Sequence, residues 1–192
     1  MPSRPVEILD FWFGREGEEG YGEFREAWFE KDAEFDRRIR ENFLEDYERA
    51  ARGEYDGWRE DPERCLALVI LLDQFPRNLF RGDTRTHATD AKALDVSRGA
   101  IEEGLDLELP PFQRHFLYMP FMHSEKVEDQ RRSVALFEGL AAEVDGPDVT
   151  EYAEGHRDIV ERFGRFPHRN EILDRPSTAE EVEFLEQPGS SF

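Results

Sequence analysis

Proline and glycine divide this chain into short segments in which apolar residues recur with the spacing of an α-helix. The clearest segment stops at Gly164 and places its inward positions three or four residues apart, at Val149, Tyr152, Ala153, His156, Ile159, Val160 and Phe163. A stripe of this period is typical of one buried face of a helix. No window alternates with the period of a strand beside a hairpin turn. The sequence therefore predicts an all-α fold.

Start and stop signals predict where the individual helices lie. Helices bounded by such signals are expected over residues 5–13, 24–52 (one or two), 62–75, 86–103, 111–119, 125–145 and 150–163, and after a capping box at 177–180. Phe24 is an inward position of the second segment, and Ser124 is the expected N-cap of the helix that follows it. Pro120 is expected to break or kink its helix.

The third predicted helix has clear start and stop signals. Asp61 and Pro62 provide an N-cap and a first helical residue, and Pro76 is expected to close the segment. Its centre, residues 66–72, is apolar on every side, which could also suit a buried strand, but the start signals and the length favour a helix. We expect this to be the core helix.

Short connections between the helices favour roughly antiparallel packing, as a helical bundle or as layered helix pairs. We expect a single domain over residues 1–187 and a frayed tail over 188–192. No 34-residue repeat is present, so any likeness to tetratricopeptide proteins lies in shape.

Composition limits the partners and the compartment. The chain has 45 acidic and 25 basic residues and a formal net charge of −20, which opposes nucleic-acid binding. The segment 1–10 does not resemble a signal peptide, the longest apolar run is too short for a bilayer, and the lone Cys65 suits a reducing compartment as a buried, inert thiol. We expect a cytoplasmic protein with no membrane partner. Scarce lysine and abundant acid suit either salt adaptation or a high-GC genome.

Three proline-marked polar motifs end the third, fifth and seventh predicted helices, at residues 73–78, 119–125 and 164–170. Alternate helices of an up-and-down bundle point the same way, so these ends should meet on one face. Near-duplicate Phe-Pro-Arg-Asn (75–78) and Phe-Pro-His-Arg-Asn (166–170) turns would then bring arginines together. Paired guanidinium groups suit a phosphate or a carboxylate.

The candidate site residues follow from this convergence. The candidates for proton transfer are His123, Glu125, His168 and Asp73. The candidates for ligand binding are Gln74, Arg77, Asn78, Arg81, Asp90, Gln130, Arg165, Arg169 and Asn170. The alternative is structural: arginines and histidines also cap helix C-termini, and Asp73 and Glu125 could pair with Arg77 and Arg169 in an internal ion network.

Other polar residues are assigned structural roles. His156 lies on an apolar stripe, His87 and His115 belong to no motif, and Arg175, beyond the last polar motif, is expected to contribute little. Motifs for zinc, di-iron, serine-hydrolase or phosphate-loop chemistry are missing, so no metal and no cofactor is expected.

Several longer motifs carry a family resemblance: ILDFWFG near the start, LLDQFPRNLFRG at 71–82 with ATDAKAL after it, PFMHSE with Gln130, and GRFPHRN. Together they resemble a bacterial family known as domain of unknown function 924, over nearly the whole chain. The resemblance implies an all-helical, tetratricopeptide-like fold and no established activity. The sequence departs from the family pattern at His87, Lys126 and Asp174, where an aromatic residue, an acid and glycine are usual.

Two functions compete. One is a site for a small anionic ligand, whose enzymatic character the sequence leaves open. The other is a scaffold that binds a peptide or partner protein in a helical groove, with residues 11–13 and Trp28 as hydrophobic anchors. Such aromatics are more often core residues. A closed pocket would favour the first function, and an open groove with exposed aromatics the second.

Overall fold

All regular secondary structure is helical in the residues that the computed structural model describes, 3–143 and 149–190, which contain no strand. Its helices are α1 (Arg4–Phe13), α2 (Ala33–Ala51), α3 (Pro62–Val69), α4 (Phe75–Leu79), α5 (Asp90–Glu102), α6 (Pro111–Met122), α7 (Val127–Ala141), α8 (Thr150–Phe163) and α9 (Ala179–Leu185). Short 3₁₀ turns lie in several connections. The predicted all-α class is confirmed.

The helices pack in layers around α3. This helix contacts α1, α5 and α6, while α6 packs on α7 and α7 on α8. Its apolar run, residues 66–72, is completely buried, as expected of the core helix. Helix α1 packs on α3, and its aromatic side chains Trp12 and Phe13 are also completely buried. These residues are therefore core, and Trp28, whose indole N–H donates to the carbonyl of Trp12 at 3.0 Å, is half-buried over them.

Pro76 does not end the core helix, which corrects the prediction. The chain continues from α3 through a single π-helical turn, Ile70–Gln74, directly into α4. The amide of Phe75 donates to the carbonyl of Ile70, and Pro76 lies in the first turn of α4, where a missing N–H costs no helical hydrogen bond. π-turns of this kind are frequent at functional sites. This one carries Asp73 and Gln74.

Several other boundaries differ from the predictions. Pro120 lies within the last turn of α6, which continues to Met122, so it does not break the helix there. The N-cap of α7 is Lys126, and Ser124 instead accepts from the amide of Lys126 at 3.2 Å. Helix α5 starts at Asp90, after a 3₁₀ turn over Thr84–His87. The predicted end of the sixth helix lies outside the described residues.

The segment before α2 also differs. Phe24 is 69% exposed, and only a 3₁₀ turn, Glu26–Trp28, precedes α2, which begins after Asp32 caps its first turn. The predicted inward position of Phe24 is wrong because the segment around it is not helical. A four-residue spacing places side chains on one face only within a helix.

At the C-terminal end, the capping box is shifted by one residue: Thr178 and Glu181 form it. Asp174 adopts the left-handed conformation, with φ 52°, that glycine usually takes. Within the tail predicted to fray, the hydroxyl of Ser190 donates to the carbonyl of Leu185 at 3.1 Å. The described part of that tail is therefore attached to the end of α9.

Candidate functional site

The π-turn places a completely buried carboxylate against the end of α6. Oδ1 of Asp73 lies 2.8 Å from Nδ1 of His123, which directly follows α6. Gln74 donates from its side-chain amide to the other oxygen of Asp73 and lies 3.4 Å from the sulfur of Met119. Two of the three predicted motifs thus meet at one hydrogen-bonded pair.

Asp90 joins the third motif to the first. Nη1 of Arg77 lies 3.1 Å from Oδ1 of Asp90, and Nη1 of Arg169 lies 3.6 Å from Oδ2. Arg77 also approaches Asp73, at 3.6 Å, and Arg169 donates to the carbonyl of His123 at 3.0 Å. The two similar Phe-Pro turns therefore lie close together, and their arginines converge on one carboxylate.

His87 belongs to the same group, although the sequence assigned it a structural role. Its Nδ1 lies 3.2 Å from Oδ2 of Asp90. The three-residue spacing of a histidine and an acid next to a helix start was the signal that could have revealed it. We call Asp73, His87, Arg77, Asp90, His123 and Arg169 the central network.

The charged groups of the central network shift one another's pKa values. Burial raises the pKa of Asp73 and of Asp90, but the charge of Arg77 and the contacts with histidine outweigh it, so both carboxyls are ionised. Burial and the charge of Arg77 lower the pKa of His123 in spite of the Asp73 carboxylate. Burial lowers the pKa of Arg169 to about 10, which leaves it protonated at neutral pH.

The tautomer of His123 follows from its partner. An ionised carboxylate can only accept hydrogen bonds, so the proton of the neutral ring is assigned to Nδ1. Nε2 then carries a lone pair. This arrangement resembles an oriented base, in which a buried acid holds the imidazole in one tautomer.

Two buried guanidinium nitrogens in the central network lack an acceptor among the described residues: Nη2 of Arg77 and Nε of Arg169. A buried charged donor without an acceptor costs roughly 1–3 kcal/mol or more. The network also has an outer end, since the side chain of Arg77 is 22% exposed while that of Asp73 is completely buried. Solute would approach from the side of Arg77.

A surface depression of about 640 Å³ lies between the connections that carry His87 and Arg169. It is lined by Gly82, Asp83, Thr84, Glu171 and Ile172. The depression is open to solvent, in contrast to the closed pocket that would have favoured a small-molecule site most directly.

Glu125 lies in a separate ion pair. Its carboxylate accepts two hydrogen bonds from Arg175, at 2.7 and 2.9 Å, and one from the amide of Phe166 at 2.8 Å. Arg175 also donates to the side chain of Asn170 at 3.1 Å. Arg175 therefore has more contacts than the sequence predicted, and it ties Glu125 and Asn170 into the connection between α8 and α9.

Four further predicted site residues have contacts outside the central network. Arg165 pairs with Glu181 at 2.6 Å, next to the capping box. The side chains of Asn78 and Arg81 both donate to Asp36 of α2. Gln130 donates to the carbonyls of Met122 and Ser124, and so closes the connection from α6 to α7.

The remaining histidines are His156, which is buried, and His115 and His168, which are half-buried. Burial and the charge of Arg169 lower the pKa of His168 to about 4. The pKa of His156 falls to about 3, mainly through burial, and its Nδ1 lies 2.7 Å from the carbonyl of Tyr152. Burial also lowers the pKa of His115 to about 4, between the rings of Phe116 and Phe137.

Comparison with known proteins shows the family. The model described as "Bacterial protein of unknown function (DUF924)" matches residues 8–189. This chain belongs to that family. A solved structure, "Structure of Protein of Unknown Function ATU0120 from Agrobacterium tumefaciens", is 44% identical, with a TM-score of 0.83 over 95% of this chain and 96% of that one. No curated protein matches.

The DUF924 description assigns no activity. The central network and the surface of this chain are therefore the features from which a function can be inferred. Every helix in the described residues is too short or too polar to cross a membrane.

Proposed function

We propose that this DUF924 protein binds a small anionic ligand, a phosphate or a carboxylate, at the central network, with His123 as its acid–base group. The observation that carries the proposal is the convergence of Arg77 and Arg169 on Asp90, with one buried donor nitrogen of each arginine lacking an acceptor among the described residues. An oxyanion supplies the acceptors that these donors need. Helix capping by itself would not require two arginines at one carboxylate.

The chemistry of arginine supports an oxyanion. Each guanidinium contacts Asp90 through Nη1 alone, which leaves other donors of the planar fork for a second acceptor. Forks of this type bind carboxylates and phosphates in a bidentate manner. Both groups remain charged at neutral pH, since the pKa of Arg77 is raised by Asp73 and Asp90, against the effect of burial.

His123 would act on the bound ligand as the acid–base group. Asp73 holds Nδ1, so Nε2 can accept a proton from a hydroxyl or a water molecule, and the resulting imidazolium is stabilised by the carboxylate. Asp73 is then a positioning residue. Glu125, also predicted for proton transfer, pairs instead with Arg175, and the role of His168 in proton transfer stays a prediction.

Anion titrations test this proposal. Sulfate, phosphate and malonate binding would be measured by calorimetry at constant ionic strength for the parent protein and for Arg77→Gln. Loss of one charge-assisted contact should weaken binding by about tenfold or more, which corresponds to about 1.4 kcal/mol.

The matched control is Arg131→Gln, which removes an exposed arginine of α7 whose partner is Glu161. Its anion affinity should equal that of the parent. Absence of binding to the parent, or equal losses in both variants, would contradict a site at the central network.

A second function is favoured by a different surface. Phe24 and Phe29 stack with ring centroids 5.7 Å apart and are 69% and 52% exposed. Exposed glutamates flank them at Glu23, Glu26 and Glu30. The predicted anchors are wrong in part, because Trp12 and Phe13 are core residues, but this aromatic pair is available in their place.

As this second function we propose docking of a basic segment of a partner protein on Phe24 and Phe29, since arginine stacks on aromatic rings and complements the glutamates. An arginine-rich synthetic peptide would be titrated into the parent and into the Phe24→Ser/Phe29→Ser variant, which has the same charge. Binding should weaken only in that variant, and not in the control Val182→Ser. Equal affinity for all three proteins would indicate attraction to net charge alone.

A further inference from the structure

The carboxylate and guanidinium charges of the central network balance before any ligand is bound. Two carboxylates, Asp73 and Asp90, face two guanidinium groups, Arg77 and Arg169, within 4 Å. An oxyanion that enters this largely buried group therefore adds unbalanced negative charge, which is costly at low effective dielectric. The cost falls if the site gains a proton at the same time.

We infer that anion binding at the central network takes up one proton and that His123 receives it. The inference rests on the proposed function and adds its regulation: affinity is linked to pH, and the bound state holds an imidazolium beside the ligand. The same proton is then in place for donation to a leaving group, as a general acid requires.

The groups that face His123 favour it as the acceptor. Asp73 contacts its ring from the π-turn, and Asp90 from α5 also favours its charged form. Arg77 from α4 opposes protonation, and an anion bound to Arg77 would cancel that opposition. Arg169 contacts the His123 carbonyl from the turn over Pro167–Arg169, and His115 and His156 lie within electrostatic range from α6 and α8.

The neighbouring histidines are poorer acceptors. His115 is enclosed by aromatic rings, and Nδ1 of His156 contacts a backbone carbonyl. His87 has a carboxylate partner, Asp90, at the longer distance of 3.2 Å. His123 has such a carboxylate at 2.8 Å. Ring centroids of His123 and His156 are 6.4 Å apart, close enough for their charges to compete.

Sulfate is the probe, because it stays a dianion across the range tested. Calorimetric titrations of the parent at one pH in two buffers of different ionisation enthalpy give the protons bound per sulfate directly. We expect an uptake approaching one. Over pH 6 to 8 the dissociation constant should rise by up to about tenfold per pH unit, as linkage to one proton requires.

The variant His123→Asn should lose this pH dependence, so that its dissociation constant for sulfate stays constant over pH 6 to 8. Arg131→Gln should keep the pH dependence of the parent. The buffer comparison on the parent needs no variant, so it tests the inference even if His123→Asn does not fold.

Each outcome separates the two proposals. Sulfate binding without proton uptake overturns the inference and leaves the proposed function standing. Proton uptake that persists in folded His123→Asn overturns the assignment to His123. Absence of sulfate binding to the parent overturns both proposals.

Discussion

His123 and Asp73 are 50 residues apart in the chain, yet their side chains lie 2.8 Å apart where the end of α6 meets the π-turn. The pair joins the core helix to the central network. Because Asp73 is completely buried, its charge is stabilised only by the groups around it. We therefore expect changes to Asp73 or His123 to alter both the free energy of unfolding and the chemistry of the central network.

Asp73→Asn should destabilise the protein by up to about 3 to 5 kcal/mol, because the carboxylate of Asp90 alone is then left in the central network to compensate the buried charge of Arg77. Urea unfolding measures the change. Asp95→Asn, which removes an exposed partner of Arg59, should cost no more than about 1 kcal/mol. Equal effects would show that the buried position of Asp73 is energetically unimportant.

Asp90→Asn should tighten sulfate binding by about tenfold, because it removes a negative charge that both arginines now contact. Calorimetry at constant ionic strength measures the affinity, again with Asp95→Asn as the control of equal charge. Weaker binding to Asp90→Asn would mean that Asp90 holds the arginines in the binding geometry.

Acid should destabilise the protein through its buried histidines. The folded pKa of His115 is about 4, below the 6.5 of the unfolded chain, so the unfolded state binds more protons between these values. The contribution of His115 to the free energy of unfolding is fully present above about pH 6.5. It is lost as the pH drops toward 4, by up to about 3 kcal/mol. His115→Phe should reduce that slope, as urea melts between pH 4 and 7 would show. An unchanged slope would exclude His115 as a contributor.

Arg175→Ala should cost about 1.5 to 3 kcal/mol, because Arg175 makes two charge-assisted hydrogen bonds to Glu125. Sulfate affinity should not change, since Arg175 lies outside the central network. Thermal melts and sulfate titrations of Arg175→Ala and Arg131→Ala measure both effects. A loss of sulfate binding would extend the site to the Glu125 pair.

Leu71→Ala should cost about 2 to 5 kcal/mol, the range for a buried leucine that leaves a cavity. Leu107, an exposed leucine, provides the control Leu107→Ala, which should lie within about 0.5 kcal/mol of the parent. Midpoints of urea unfolding measure both. Equal midpoints would mean that residues 66–72 tolerate a cavity without loss.

Local sequence signals predict the helical class, the core helix and the best-bounded helices. Pro5 and Gly14 bound α1 and Gly164 ends α8, because these residues act through local backbone conformation. Burial of residues 66–72 followed from a run without a polar side. Family membership was also readable from the motifs, and the family model confirms it.

Which polar side chains of the motifs join the central network depends on the packing of the helices. Proximity of the two Phe-Pro turns followed from helix order, but whether Arg169 or Arg175 faces Asp90 depends on side-chain directions after several helices have packed. The π-turn at Asp73 likewise has no local sequence signal that distinguishes it from a helix end at Pro76. Charged side chains choose partners across distant segments, and that choice depends on distances that spacing along the chain does not contain.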